Sequence, residues 1–486
     1  MNWTFDLSQF DQVWGIIVQI GLLLIFLLIG NLIRRVVPFL RKGNVPSALI
    51  GGLLLLCLDL LLTKVCFKDV EGFVFVNKRV MQIITYHSLA IGFGAMSLKI
   101  AKKGSKGSFF KAVQNGAITG GTYMLQAVIG IAISLIFFAC GTGLFYDSGV
   151  LLPLGFGQGP GNALTWDNNF TALTHPTEGV WDGPLFNGQG SVGLTIASIG
   201  FIVASLVGVI YINIFKHKHE IVLKEKAISR SVEDFEEEDE IEDSESVDKT
   251  SIQVALVILV YAAGLAIMVL FAYISKWTGV KLFNDIAWGF NFIWCVITAT
   301  LVKTLVKFLY KRKIIKRKYI NNYQMDRISG FAFDMMIIAG VAAIDINVLK
   351  EYALFIVIVC LAGTLVTILY VRMMCKHVFK DIQHEAFLTN FGTLTGTASN
   401  GMIFLREIDP NYETPMNNIF VVSQLPAMIF VAPLLLLLNL SAKSLNGCFI
   451  ALGIFGGLFV LYTVFLILSP KIKFKKKEEP TEEVAE

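Results

Sequence analysis

LPLGFGQGPGNALTW, residues 152–166 of this 486-residue chain, is a stretch that cannot form one continuous helix. Glycine occupies every second position from Gly155 to Gly161, and its backbone freedom disfavours a helix. Pro160 lacks the amide proton that a helix interior needs. A second stretch, NFGTLTGTASNGMIFL at residues 390–405, places Thr and Ser between glycines. Both stretches therefore leave backbone amide and carbonyl groups outside regular hydrogen bonding.

The composition around these stretches is that of a membrane protein. The chain is 55% hydrophobic and 16% charged, with a mean hydropathy of +0.66, whereas soluble proteins have about 45–50% apolar and about 25% charged residues. No polar segment is long enough for a soluble domain of about 100 residues, which excludes a large soluble enzyme. The seven cysteines show no metal-ligand spacing, and we interpret them as buried apolar residues.

Runs of about 20 apolar residues predict eleven membrane-spanning helices. They lie near residues 14–33, 45–63, 81–98, 115–140, 190–215, 251–275, 286–309, 328–347, 351–371, 416–440 and 447–469. Residues 144–168 and 386–406 are apolar but interrupted, and we predict a re-entrant hairpin in each. Irregular backbone survives in a membrane only where protein or an aqueous cavity covers it.

Positive charge supports the two hairpins. If the N-terminus is outside and both interrupted segments return to the side they left, about four-fifths of the 41 Lys and Arg residues lie in the cytoplasm. A full crossing at residues 144–168 would abolish that bias. We therefore predict an outside N-terminus, with the central acidic linker and the C-terminus in the cytoplasm.

An acidic run divides the chain, because eleven of the sixteen residues 233–248 are Asp or Glu. Like charges repel, so we predict a solvated linker over residues 216–250; a calcium site and a partner-binding segment are the alternatives. Residues 1–215 and 251–440 each contain four spans, an interrupted segment and a fifth span. Residues 441–486 add an extra helix and a charged cytoplasmic tail.

This order predicts an all-α polytopic membrane protein with two inverted repeats. Each repeat has five transmembrane helices and one re-entrant hairpin, and the odd number of spans reverses the second repeat in the membrane. Such repeats are typical of secondary transporters, which bind solute where their broken segments meet near the membrane midplane.

The two interrupted segments supply the candidate site. Free amides at the start of a half-helix favour an anion such as a carboxylate. The predicted substrate-binding residues are Gly157, Gln158, Gly159, Gly161, Asn162, Thr165, Thr393, Thr395, Gly396 and Thr397. The predicted Na+ ligands are Ser399, Asn400 and Asp334. Neutral oxygens suit Na+ better than a transition metal, and an acidic residue inside a span is a candidate by default.

Two structural interpretations remain open for these residues. The first segment could be a glycine-lined helix crossing, and the hydroxyls of the second could bond within their own helix. Asp59 and Asp345, which also lie in or near spans, could be functional or could lie in wet or interfacial positions.

Two stretches resemble enzyme motifs, but both matches are incomplete. GFGQGPG has the glycines of a dinucleotide loop, but no βαβ unit surrounds it. His384 and Glu385 begin like a zinc-protease helix, yet Leu388 stands where the second His is needed. We therefore predict no enzymatic activity, no cofactor apart from Na+ as coupling ion, and no nucleic-acid partner.

The chain resembles the bacterial sodium/glutamate symporter family. The resemblance rests on four stretches and covers most of residues 14–440. The stretches are NVPSALIGGLL (44–54), AIGFGAMSLK (90–99), GFGQGPGNALTW (155–166) and FGTLTGTASNGM (391–402). The chain departs from the family pattern at Gln158 and Pro160, in additional hydroxyls in the second segment, in the acidic linker and in the eleventh span.

The resemblance implies Na+-driven import of glutamate or a similar small carboxylate by alternating access. It also implies a homodimer in the lipid of a bacterial cytoplasmic (inner) membrane, and an elevator-type transport domain that carries both hairpins against a scaffold. The alternatives are proton- or sodium-coupled transport of another organic anion, such as a hydroxycarboxylate or bile acid, an ion channel, and a membrane sensor or scaffold.

Overall fold

The computed structural model describes most of the chain. The described residues are 10–42, 45–70, 73–100, 106–174, 185–218, 249–279, 283–284, 287–288, 291–409 and 414–471. Within these ranges the regular elements are helices, without strands. The acidic run at 233–248 and the charged tail beyond residue 471 lie outside the described residues, so the predictions for the linker and tail remain predictions.

Fifteen α-helices occur in the described ranges. Before the acidic run these are α1 (Phe10–Val36), α2 (Pro38–Lys42), α3 (Ser47–Leu61), α4 (Lys78–Leu98), α5 (Lys106–Ala139), α6 (Pro160–Thr174) and α7 (Ser191–Lys218). After it come α8 (Lys249–Thr278), α9 (Asn291–Lys311), α10 (Asn322–Ala342), α11 (Ile346–Val378), α12 (Gln383–Thr395), α13 (Ala398–Ile408), α14 (Met416–Lys443) and α15 (Leu445–Leu468). Each of the eleven predicted spans falls on one of these helices.

Nine helices in the described ranges are long and apolar enough to cross a membrane. The predicted spans in α4 and α10 are more polar than these nine. The two helices pack against each other, with α3 on α10 and α9 on α4, so protein covers many of their polar side chains. The chain is a multi-pass membrane protein.

The helices pack in two groups. One group contains α1, α3, α4, α8, α9 and α10, and the other contains α5, α7 and α11 to α15. Within the first group, helices at the same place in the order of each half make similar contacts. Helix α1 packs on α3 as α8 packs on α9, and α3 packs on α10 as α9 packs on α4.

The first interrupted segment breaks at Gly159. A π-helix at Pro153–Gly157 precedes the break, Gly159 has a φ of +81°, and α6 begins at the next residue. The rings of Phe145 and Phe170, which lie on either side of the break, have centroids 5.7 Å apart. A straight helix of that length would separate them by roughly 37 Å. The chain therefore reverses direction within this segment.

The second interrupted segment breaks at Gly396, between α12 and α13, and these two helices pack against each other. Two glycines permit their close approach. A Cβ on Gly401 would collide with the Thr389 carbonyl, and a Cβ on Gly392 would lie 2.9 Å from the Gly401 amide nitrogen. Small residues at such a crossing let helix backbones touch.

A buried carboxylate connects the first segment to α7. The two oxygens of Asp167 accept hydrogen bonds from the amides of Gly190 and Gly193, each at 2.7 Å. The first amides of a helix have no partner within the helix, and their partial positive charge favours an anion. Asp167 therefore stabilises the start of α7 and holds α6 beside it.

We expect Asp167→Asn to destabilise the protein by about 1.5–3 kcal/mol, the usual value of hydrogen bonds to a charged group. The physical reason is that the amide loses the charge and turns an N–H group toward one of the two donors. Thermal unfolding in detergent measures this, and Asp69→Asn, the same change at an exposed position, is the control. Equal melting temperatures for the two variants would contradict this role of Asp167.

Candidate functional site

The breaks of the two interrupted segments lie side by side. A Cβ on Gly159 would lie 3.5 Å from Thr397 Cγ2, 3.6 Å from Met336 Cε and 3.7 Å from the carbonyl oxygen of Gly396. The tips of two segments from different halves of the chain thus meet next to α10. We refer to residues 157–162 and 393–400 as the two tips.

Buried polar atoms without a hydrogen-bond partner cluster at or beside the tips. Among the described residues they are Asn162 Oδ1, Thr397 Oγ1, Asn400 Nδ2 and Gln126 Oε1. These four side chains are at most 6% exposed. A buried polar atom without a partner costs about 1–3 kcal/mol. Such a cluster is typical of a site where a ligand or an ion supplies the missing partners.

Helix α5 holds both tips in place. The Tyr123 hydroxyl donates to the carbonyl of Gly157. One turn further on, Gln126 Nε2 donates to Thr367 Oγ1 at 2.8 Å and to the Leu394 carbonyl at 3.3 Å. The two broken segments therefore share one support, and α5 satisfies carbonyls that the breaks release.

Four half-helix ends meet at the tips. Helices α6 and α13 begin there, whereas Pro153–Gly157 and α12 end there. Helix N-termini carry partial positive charge and C-termini partial negative charge. The arrangement can therefore bind an anion at one pair of ends and a cation at the other.

A cavity of about 100 Å³ adjoins the tips. Its polar lining includes Gln158, Asn162, Thr393 and Thr397, and its apolar lining includes Phe333. A crevice of about 630 Å³ between the two helix groups shares part of this lining. The site is therefore enclosed by protein and adjacent to a larger opening.

The structure brings most of the predicted site residues together. Those at the tips are Gly157, Gln158, Gly159, Asn162, Thr393, Thr395, Gly396, Thr397 and Asn400. The Thr393 hydroxyl donates to the Thr389 carbonyl and the Thr395 hydroxyl to that of Phe391, each at 2.7 Å. The alternative interpretation, that hydroxyls of the second segment bond within their own helix, is therefore correct for Thr393 and Thr395. Each hydroxyl oxygen still has lone pairs that can accept a further partner.

Thr165 and Asp334 lie away from the tips, Gly161 lies in the first tip but faces α4, and Ser399 is only partly described. Gly161 packs against Leu89, and Thr165 lines a separate cavity. Asp334 lies near the charge of Arg34 in α1, on the face of α10 opposite to Met336, because helical residues are about 100° apart. The side chain of Ser399 is outside the described residues.

The remaining acidic candidates have structural partners. Asp59 accepts a hydrogen bond from the Val76 amide at 3.2 Å. Asp345 caps α11 through the Asn347 amide and pairs with Lys78 at 3.2 Å. Burial acts to raise the pKa of Asp345, but the amide and Lys78 outweigh it and hold that pKa below its usual value. The interfacial interpretation of Asp345 therefore fits its position.

A polar face of α5 was not among the predicted features. Asn115, Thr119, Thr122 and Gln126 follow one another at helical spacing in a predicted span. Asn115 accepts from Asn390 Nδ2 of α12 at 2.7 Å. Polar residues at intervals of three and four inside a span were the available signal.

Fold and site together define a class: a multi-pass helical protein whose two broken segments meet at a buried polar cavity is a membrane solute transporter. The family model described as sodium/glutamate symporter matches residues 12–391, and the chain belongs to that family. The protein is therefore a transporter rather than an enzyme, with Na+ as its coupling ion and no enzymatic cofactor. Comparisons with curated proteins and with solved structures found no match.

The tip geometry predicts the effect of a large side chain at Gly159. Gly159→Leu would direct its side chain at Thr397 and Met336, so we expect loss of Na+-dependent stabilisation by glutamate in thermal unfolding.

Gly279→Leu is the matched control. Gly279 has a similar φ of +72° but no atom within 4 Å of an added Cβ, so both variants bear the same backbone strain of about 1–2 kcal/mol. Retained glutamate response in Gly159→Leu, or equal loss in both variants, would contradict a ligand site at the tips.

Proposed function

We propose that this protein is a Na+-driven symporter that imports glutamate or a similar small carboxylate, and that it binds substrate and ion between the two tips. The observation that carries the proposal is the cluster of buried, unpartnered polar atoms at a point where two helix N-termini and two C-termini converge. Family membership supports the type of ion and solute.

The substrate carboxylate would bind the amides that begin α6 and α13, because both helices direct their positive ends at the tips. Asn162 Nδ2 donates to Gln158 Oε1 at 2.5 Å, which leaves Asn162 Oδ1 as an acceptor. An acceptor suits the ammonium group of an amino acid. This favours an amino acid over a hydroxycarboxylate or a bile acid.

The Na+ site would lie at the C-terminal end of α12. Thr393 and Thr395 donate their protons to backbone carbonyls, so the hydroxyl oxygens can coordinate a cation. Thr397 Oγ1 and the carbonyl of Gly396 are further neutral oxygens at the same tip, and Asn400 lies beside them. Ser399 and Asp334 remain predicted ligands, and Asp334 would belong to a separate ion position.

The packing supports two inverted repeats with re-entrant hairpins. The reversal between Phe145 and Phe170, and the packing of α12 against α13, fit hairpins near residues 144–168 and 386–406. Equivalent contacts of α1–α3 and α8–α9 fit repeats over residues 1–215 and 251–440. Helix α15 lies outside both repeats.

An elevator mechanism would move one helix group against the other. The group of α5, α7 and α11 to α15 contains the second tip and packs against the π-helix and α6 of the first, and the crevice separates parts of it from α4, α9 and α10. We therefore propose the tip-bearing group as the transport domain and α1, α3, α4, α8, α9 and α10 as the scaffold.

The placement in the cell follows the sequence predictions. We propose a bacterial cytoplasmic membrane, an outside N-terminus and a cytoplasmic linker and C-terminus, supported by the distribution of Lys and Arg. The homodimer within the lipid bilayer is likewise proposed from the family resemblance.

Uptake into proteoliposomes tests the function. We expect labelled glutamate to accumulate with an inward Na+ gradient and not with a K+ gradient of the same size. Uptake that follows a proton gradient and ignores Na+ would contradict sodium coupling. Single-channel currents in place of saturable uptake and counterflow would contradict a carrier.

The ion site predicts a difference between neighbouring threonines. We expect Thr395→Val and Thr397→Val each to lower the apparent Na+ affinity of uptake about tenfold or more, because each removes one coordinating oxygen worth about 1.5 kcal/mol. The control is Thr389→Val, whose hydroxyl makes the same intrahelical bond, to Glu385, away from the tip. Unchanged Na+ dependence in both tip variants would contradict this site.

A further inference from the structure

The crevice of about 630 Å³ between the two helix groups lies next to the tip cavity and borders the end of α4. Ser97, Phe333 and Phe420 line both this crevice and the tip cavity. Lys99 and Asp326 also line the crevice. The crevice is therefore the candidate route for a solute between the tips and the solution on this side.

The two walls of the crevice differ in chemistry. The wall formed by α4, α9 and α10 carries hydroxyl and charged side chains, namely Ser97, Lys99, Thr300, Lys303, Asp326 and Ser329. The opposite wall, from α5, α13 and α14, contributes Gln424 as its one polar side chain among the described lining residues. All the described charges of the crevice therefore lie on the scaffold side.

These charges are held in fixed positions. Lys303 Nζ donates to the carbonyl oxygens of Ser97 and Lys99, at 2.6 and 3.1 Å, at the C-terminal end of α4. Lys99 Nζ pairs with Asp326 Oδ1 at 2.6 Å. An ammonium group has three donors, and Lys303 uses two of them in this way. Asp326 balances one of the two lysines, so the described lining keeps an excess positive charge.

We propose that Lys99 and Lys303 form a transient binding station for a carboxylate, between the tip site and the solution. The inference rests on the proposed function and assigns to the scaffold wall a role in capturing the anionic substrate. A positive charge inside a cleft with an apolar opposite wall attracts anions more strongly than the same charge on an open surface, because low-dielectric walls focus its field. The station speeds both entry and exit, and leaves the equilibrium affinity of the tip site nearly unchanged.

An anionic lipid is the other source of the same chemistry. A lipid phosphate would also bind the two ammonium groups, and acyl chains would suit the apolar wall. The lining that the crevice shares with the tip cavity favours the free carboxylate, since a lipid at this position would obstruct access to the tips. The experiment separates the two sources.

The test is stopped-flow mixing of glutamate with the purified full-length protein in neutral-lipid nanodiscs, at constant Na+. We expect Lys303→Gln and Lys99→Gln to slow association about threefold to tenfold at low ionic strength, a modest part of the known range of electrostatic steering. Asp326→Asn is expected to accelerate it. All differences should disappear in about 0.5 M choline chloride, because salt screens such fields, and the equilibrium Kd should change less than twofold.

Lys311→Gln is the matched control, because it removes the same charge from an exposed position further along α9, outside the crevice lining. It should leave association unchanged. Lys303 also caps the C-terminal end of α4, so Lys303→Gln can fail to fold. In that case Lys99→Gln and Asp326→Asn decide the test, because they are expected to change the association rate in opposite directions.

Three results would overturn part of this account. Wild-type association rates in Lys99→Gln and Asp326→Asn would exclude the station, provided that the wild type binds glutamate. Absence of Na+-dependent glutamate binding in the wild type would instead contradict the proposed function. If the lysine variants lose stabilisation by phosphatidylglycerol but keep wild-type association rates, the crevice binds lipid and the proposed station is wrong.

Discussion

The structure depends on covering the backbone of two broken segments inside a membrane protein. Helices that break at Gly159 and Gly396 release amides and carbonyls that lipid cannot satisfy, at a cost of several kcal/mol for each exposed group. Helix α5 supplies part of the missing hydrogen bonding, because the Tyr123 hydroxyl donates to the carbonyl of Gly157 and the Gln126 side-chain amide donates to the carbonyl of Leu394. The buried polar atoms that remain without a hydrogen-bond partner in the described part of the chain cluster at or beside the tips. A solute and an ion bound there can supply the missing partners.

The same constraint explains why one site can serve two ligands of opposite charge. Each break produces one helix C-terminus and one helix N-terminus, and the two breaks lie within van der Waals reach of each other. Partial charges of both signs are therefore present in a small volume without a formal charge on the tips. A site of this kind favours joint occupancy by a cation and an anion, as symport requires.

The two walls of the crevice differ in polarity. Its charged and hydroxyl side chains lie on α4, α9 and α10, while the wall from α5, α13 and α14 is almost entirely apolar. An apolar face can slide past a neighbouring helix without breaking many hydrogen bonds, whereas a fixed polar wall can guide a charged solute. The difference between the walls thus supports the proposed division into a transport domain and a scaffold.

The amino-acid sequence by itself determined where helices form and where they break. Apolar runs of about 20 residues locate the helices of all eleven predicted spans, nine of which, in the described part of the chain, are long and apolar enough to cross a membrane. Alternating glycines with Pro160 locate the first break, because these are local properties of the chain. The residues of the tips followed from the same reasoning. The polar face of α5 from Asn115 to Gln126 is also visible as a pattern in the sequence, although it was not predicted.

Only the tertiary structure decided which of those residues meet. Asp334 and Thr165 look as plausible in sequence as Thr397, yet helix rotation turns Asp334 toward α1 and Thr165 into another cavity. The contact between the two tips, their shared support on α5 and the unequal walls of the crevice join segments far apart in the chain. Such contacts depend on how helices pack in three dimensions, and no local pattern of residues encodes that packing directly.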